Sequence, residues 1–187
     1  MLTVFTFNKI LSLATIGAQV FIALSVAWIL FFSKKNNFNF PSAVKFFKFI
    51  GEKGIVFAFA TSLVASAGSL FYSQIFGFPP CNLCWWQRIF MYPLVLLLGL
   101  SLIKKDSKIV DYALVISGAG FLLSLYHNYM HYNEGGLNTL CQFLGVGVSC
   151  LKRYVFEFNY ITIPMMSLTA FLLIIIFLIL HKIKNVR

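Results

Sequence analysis

From Gly54 to Gln87 the chain carries no charged residue. A soluble domain rarely sustains such a run, because roughly 25% of its residues are charged and spread over its surface. A membrane-crossing helix, by contrast, needs about 20 mainly apolar residues at 1.5 Å each. Gly77-Phe78-Pro79-Pro80 divides the run, since proline donates no backbone N–H and restricts the residue before it. One span is therefore expected over 54–75 and another over 81–103. Residues 10–32, 109–126 and 160–180 satisfy the same length criterion. Of the 187 residues, 60% are hydrophobic and 11% charged, with a mean hydropathy of +0.87, so the whole chain belongs in lipid. The expected fold is an all-α membrane protein with five spans. The apolar run at 10–32 exceeds a signal-peptide core. It is read as an uncleaved anchor, although Ser25-Val26-Ala27 resembles a cleavage site.

A net charge of +10 raises the question of nucleic acid. The basic residues form short clusters between apolar runs, not a stripe with interleaved stacking aromatics, and nucleic-acid binding is excluded on that pattern. They act instead as orientation signals. One side of the membrane receives residues 33–53, the turn at 104–108 and the C-terminal tail, with 5, 3 and 3 basic residues. The other receives Lys9, Arg88, Lys152 and Arg153. The positive-inside rule then puts the C-terminus in the cytoplasm and the N-terminus outside. Segments 33–53 and 151–158 mix basic and aromatic residues and are expected as interfacial helices. Ser117-Gly118-Ala119-Gly120 should let helices approach closely. Pro164 is read as a kink in the last span, Met165 and Met166 as packing, and His131, Glu134 and Gln142 as solvated loop residues.

The same orientation puts all four cysteines on the outer face, as a close pair (Cys81 and Cys84) and a wider one (Cys141 and Cys150), where disulfides persist. Four cysteines allow three pairings, and sequence does not choose among them. Pro79-Pro80-Cys81-Asn82-Leu83-Cys84 places a Cys-x-x-Cys at a helix start. There the unpaired N–H groups and the positive dipole end favour a thiolate, the species that attacks and leaves in disulfide exchange. Gln87 and Arg88 follow Cys84 by three and four residues, on its face and one turn deeper. A charged residue at that depth marks a function. Its guanidinium suits a carbonyl oxygen of a planar acceptor such as a quinone.

Pro80-Cys81-Asn82-Leu83-Cys84-Trp85-Trp86-Gln87-Arg88 resembles the signature of the disulfide bond formation protein B family (DsbB and its Gram-positive relatives). Tyr126-His127 near an outer helix end, a two-cysteine outer loop and Ile161-Thr162-Ile163-Pro164-Met165-Met166-Ser167 follow in the family's order, so the likeness covers about 54–182. The resemblance implies a four-helix bundle over 54–187, with 1–53 adding one transmembrane helix and a basic cytoplasmic linker. It implies an enzyme of the bacterial inner membrane, a disulfide-generating thiol:quinone oxidoreductase. Cys141 would exchange with a DsbA-like thioredoxin-fold oxidase, Cys150 would relay electrons to Cys81, and Cys84 would face ubiquinone or menaquinone as a thiolate. Arg88, Gln87, His127 and Trp85 would contact the quinone, and no metal is expected. Two other readings stay open. One is an enzyme running in reverse, like vitamin K epoxide reductases, whose loop pair usually precedes the membrane pair. The other is a non-catalytic scaffold with structural disulfides or zinc.

Overall fold

The computed structural model describes residues 2–33, 41–106, 108–132 and 154–186. Among them are six helices: α1 (Leu2–Ser33), α2 (Pro41–Glu52), α3 (Gly54–Leu70), α4 (Asn82–Lys104), α5 (Ile109–Tyr132) and α6 (Ile163–Val186). A π-helical turn, Phe71–Ile75, extends α3. All but α2 are long and apolar enough to cross a membrane, and the chain is an all-α, multi-pass membrane protein.

Helices α3, α4, α5 and α6 form a closed bundle in which each packs against the next and α6 returns to α3. Helix α1 lies outside this ring against α6, and the amphipathic α2 packs across the other end of α6. Leu94, Leu98, Ala113, Phe171, Ile174 and Leu178 fill the centre, while Leu96, Ile103, Val115 and Leu122 point outward as a lipid-facing surface would require. Lipid is as apolar as these side chains, so close approach of helices does the stabilising. Gly120 shows this, because a Cβ there would run into the Phe171 ring. At Gly54 a Cβ would sit 2.6 Å from the Phe177 carbonyl oxygen.

Four expectations change. Helix α1 begins at Leu2, well before residue 10, and takes in Lys9, whose ammonium lies 4.2 Å from the centre of the Phe5 ring. An amphipathic lysine of this kind can be carried on an apolar helix. Helix α5 continues past residue 126 to Tyr132, stabilised where the Asn128 amide donates to Ser124 O at 2.9 Å and to Pro164 O at 2.8 Å. The interfacial helix expected over 151–158 is not formed in its described part. Instead Glu157 pairs with Ile161 in an isolated antiparallel bridge, and Phe158 and Asn159 take left-handed φ of 51° and 63° that reverse the chain. Helix α6 therefore starts at Ile163, and Pro164 occupies its first turn, where no N–H is needed, so it begins the helix and does not kink it.

Candidate functional site

The π-helical turn widens the end of α3, and Gly77, at φ +66°, turns the chain out of it. Pro79 and Pro80 then deliver Cys81 as the N-cap of α4, with extended backbone and its sulfur accepting from the Cys84 N–H at 3.4 Å. The two sulfurs are 3.0 Å apart. Cys81 is 6% exposed, and Cys84 is half-buried one turn along.

His127 of α5 is buried beside this pair, its Nε2 3.8 Å from the Cys81 sulfur. The Gln87 amide nitrogen lies 3.2 Å from His127 Nδ1. An amide nitrogen can only donate, so Nδ1 accepts and the neutral ring presents Nε2–H to Cys81. The hydrogen bond from the Cys84 thiol, then His127 working against burial, holds the Cys81 thiol below its usual range.

Arg88 is 6% exposed within the span of α4. Its Nε donates to Ser69 Oγ and its Nη2 to Ser69 O, both at 2.8 Å, so one residue of α3 takes two of the five guanidinium donors. That carbonyl sits just before the π-helical turn, a distortion common at functional sites. Trp85 is 52% exposed and does not line the interior; its ring lies 5.1 Å from the Arg88 guanidinium carbon and covers it from outside.

A cavity of about 410 Å³ opens beside the sulfurs. Cys81, Cys84, Gln87, Arg88 and His127 all line it, so the fold gathers these expected site residues around one space. Cys141 and Cys150 lie outside the described residues. The walls are mostly apolar and come from α3, α4 and α6, and Leu11, Ala14, Thr15 and Ala18 of α1 complete them. Three side-chain hydrogen bonds among the described residues hold α1 in place: Tyr72 OH donates to Asn8 Oδ1 at 2.9 Å, Gln19 Nε2 donates to Thr169 Oγ1 at 3.3 Å, and Tyr160 OH donates to Gln19 Oε1 at 3.0 Å.

Sequence reasoning missed Ser69, a serine among several in an apolar helix. It also misplaced His131, which is 3% exposed and lines the cavity because α5 runs on past Tyr126. Glu134 and Gln142 fall outside the described residues. Tyr154 stacks on Phe78, next to Pro79-Pro80-Cys81, with ring centres 4.9 Å apart. The two sulfurs and His127 Nε2 also lie within 4.8 Å of one another, close enough to converge on one soft cation.

An apolar cavity with a dithiol at its mouth and a buried cation on its wall fits a flat, uncharged ring that bears carbonyl oxygens. The family model for disulfide bond formation protein DsbB matches residues 52–181. The chain is 42% identical over 131 residues to disulfide bond formation protein C of Bacillus subtilis (strain 168), covering 68% of this chain and 94% of that protein. It is 39% identical over 128 residues to probable disulfide formation protein C 1 of Bacillus cereus (strain ATCC 10987 / NRS 248), covering 66% and 87%. A probable disulfide formation protein of Oceanobacillus iheyensis is 40% identical over 125 residues, 67% of this chain and 86% of its own length. No solved structure matches the chain.

Proposed function

The chain belongs to the disulfide bond formation protein DsbB family of membrane oxidoreductases, and we propose that it reoxidises an extracytoplasmic DsbA-like dithiol oxidase at the expense of a membrane quinone. The observation that carries this reading is the Cys81–Cys84 pair opening onto an apolar cavity between membrane-crossing helices, with Arg88 one turn below. The catalytic unit would be 54–187, to which residues 1–53 add a helix that closes one cavity wall. Ubiquinone and menaquinone both present a ring that Arg88, Gln87 and apolar walls could hold. When bound, the quinone would supply the sink for two electrons and two protons.

The protein's own part is thiol–disulfide exchange. A partner thiolate attacks Cys141 of a Cys141–Cys150 disulfide and releases Cys150. The partner's second thiolate then closes its disulfide and frees Cys141. Cys150 attacks Cys81 of a Cys81–Cys84 disulfide, releasing the Cys84 sulfur beside Arg88. Cys141 next attacks Cys150, restores the outer disulfide and releases Cys81 as a thiolate toward His127 Nε2–H. Two electrons have then moved from the partner to the inner pair. A leaving thiol of low pKa departs faster, and Cys81 has that character. Covalent reach supports the relay, because Cys150 stands four residues before Tyr154 and so within about 14 Å of it along an extended chain. A partner poised near about −120 mV requires an acceptor above that potential, which a quinone meets and NAD does not.

The order of the pairs argues against the reverse reaction, whose enzymes usually place the loop pair first. The sulfur–imidazole triangle favours one second reading, a structural zinc site. Ultraviolet–visible spectra and metal analysis of the purified chain separate the two. A quinone signal lost in Cys84→Ser supports the enzyme, and stoichiometric zinc with no quinone signal overturns it.

A further inference from the structure

Polar groups on the cavity wall sort by depth. One turn below the sulfurs, Gln87 is engaged with His127, and Arg88 is engaged with Ser69. One turn farther in, two hydroxyls are placed differently. Ser66 precedes Ser69 by three residues on α3, and Tyr92 follows Arg88 by four on α4. At 1.5 Å per residue both lie about 4.5–6 Å deeper. Ser66 is 8% exposed, and both hydroxyl oxygens are buried with no hydrogen-bond partner among the described residues. Both residues line the cavity.

Other hydroxyls of α3 behave otherwise. Thr61 donates to Phe57 O and Ser62 to Phe59 O, each at 2.8 Å, which is the ordinary way a helix in lipid satisfies such groups. A buried polar group without a partner is costly, more so where water is scarce, and calls for an explanation. A bound ligand carrying an acceptor at that depth supplies one. The two oxygens of a para-quinone are separated by about one helical pitch, ~5.4 Å. A ring with one oxygen at Arg88 therefore presents the other a turn deeper, between α3 and α4. One carbonyl oxygen has two lone pairs and can accept from both hydroxyls.

We propose that Ser66 and Tyr92 together bind the inner carbonyl oxygen of the quinone whose outer oxygen lies at Arg88. The assignment rests on the quinone reading above and adds a second polar anchor that fixes how deeply the ring sits.

The test uses the full-length protein in detergent, titrated with a short-chain ubiquinone and a short-chain menaquinone. Binding is read by quenching of tryptophan fluorescence, and the carbonyl stretches of the bound quinone by infrared difference spectroscopy. Ser66→Ala and Tyr92→Phe should each raise Kd about two- to tenfold, the worth of one neutral hydrogen bond. They should move one carbonyl band to higher frequency and leave the other in place, while Arg88→Lys should move the other. If the double variant S66A/Y92F leaves Kd and both bands unchanged while Arg88→Ala weakens binding, the hydroxyls are packing groups and the proposal falls. If neither quinone binds the unsubstituted protein, or Arg88→Ala has no effect, the quinone pocket itself is wrong and the anchor goes with it.

Discussion

At Cys81 three neighbours converge on one sulfur: the Cys84 thiol, the Cys84 backbone N–H and His127. Each stabilises negative charge, and burial opposes them. The folded pKa is therefore lower than the usual value of about 8.5 for a free thiol. With a lowered pKa the thiolate should survive as pH falls through the range where an ordinary cysteine takes up its proton. In reduced protein with Cys141 and Cys150 changed to serine, the ultraviolet thiolate band should titrate with a midpoint well below the ordinary thiol value. His127→Ala should raise that midpoint, because it removes the Nε2–H donor. An ordinary midpoint unmoved by His127→Ala would show that the charge is not held where the geometry puts it. The cysteine motif and Arg88 were plain in the sequence, since spacing alone puts Gln87 and Arg88 on the Cys84 face. The pairing of Gln87 with His127 was not, because it joins α4 to α5 across forty residues.

Elements were legible where the sequence punctuates them. Lys53 and Gly77-Phe78-Pro79-Pro80 bound the second span, which forms over Gly54–Ile75. The end of α5 was not legible, since Asn128 and His131 look like loop residues until their partners in the fold are known. Segment 151–158 misled for the same reason, its mix of basic and aromatic residues suiting an interfacial helix while the backbone at Phe158 and Asn159 reverses. Helix α1 is the largest surprise at this scale. It reads as an isolated anchor, yet it contributes Leu11, Ala14, Thr15 and Ala18 to the cavity. Small side chains there leave the volume open, and enlarging them should fill it. Ala14→Phe and Ala18→Phe are expected to weaken quinone binding about tenfold or more, the effect of roughly 1.4 kcal/mol. The thiol pair should still exchange with a small disulfide reagent at its original rate. Unchanged quinone affinity in both variants would mean that the ligand does not reach the α1 wall.

On the scale of the whole molecule the two ends of the bundle differ in chemistry. At one end lie Cys81, His127, His131 and Tyr154. At the other, Lys182 meets Asp111 at 2.7 Å, His181 Nδ1 lies 2.8 Å from Gly51 O, and α2 brings Lys45 and Lys48. Positive charge on cytoplasmic loops sets orientation during insertion, so the thiol end should be the extracytoplasmic one. The same asymmetry accounts for much of the net charge of +10, since 11 of the 15 basic residues fall in the segments at the end opposite the sulfurs. Exposed positions at each end make the assignment measurable in intact cells. In a background with all four cysteines changed to serine, Phe156→Cys should react with a membrane-impermeant maleimide added outside. Lys105→Cys should react only once the membrane is permeabilised. The reverse pattern would turn the sulfurs toward the reducing cytoplasm, where glutathione opposes stable disulfides. An extracytoplasmic dithiol could then never reach Cys141, and the direction of electron flow would have to be argued anew.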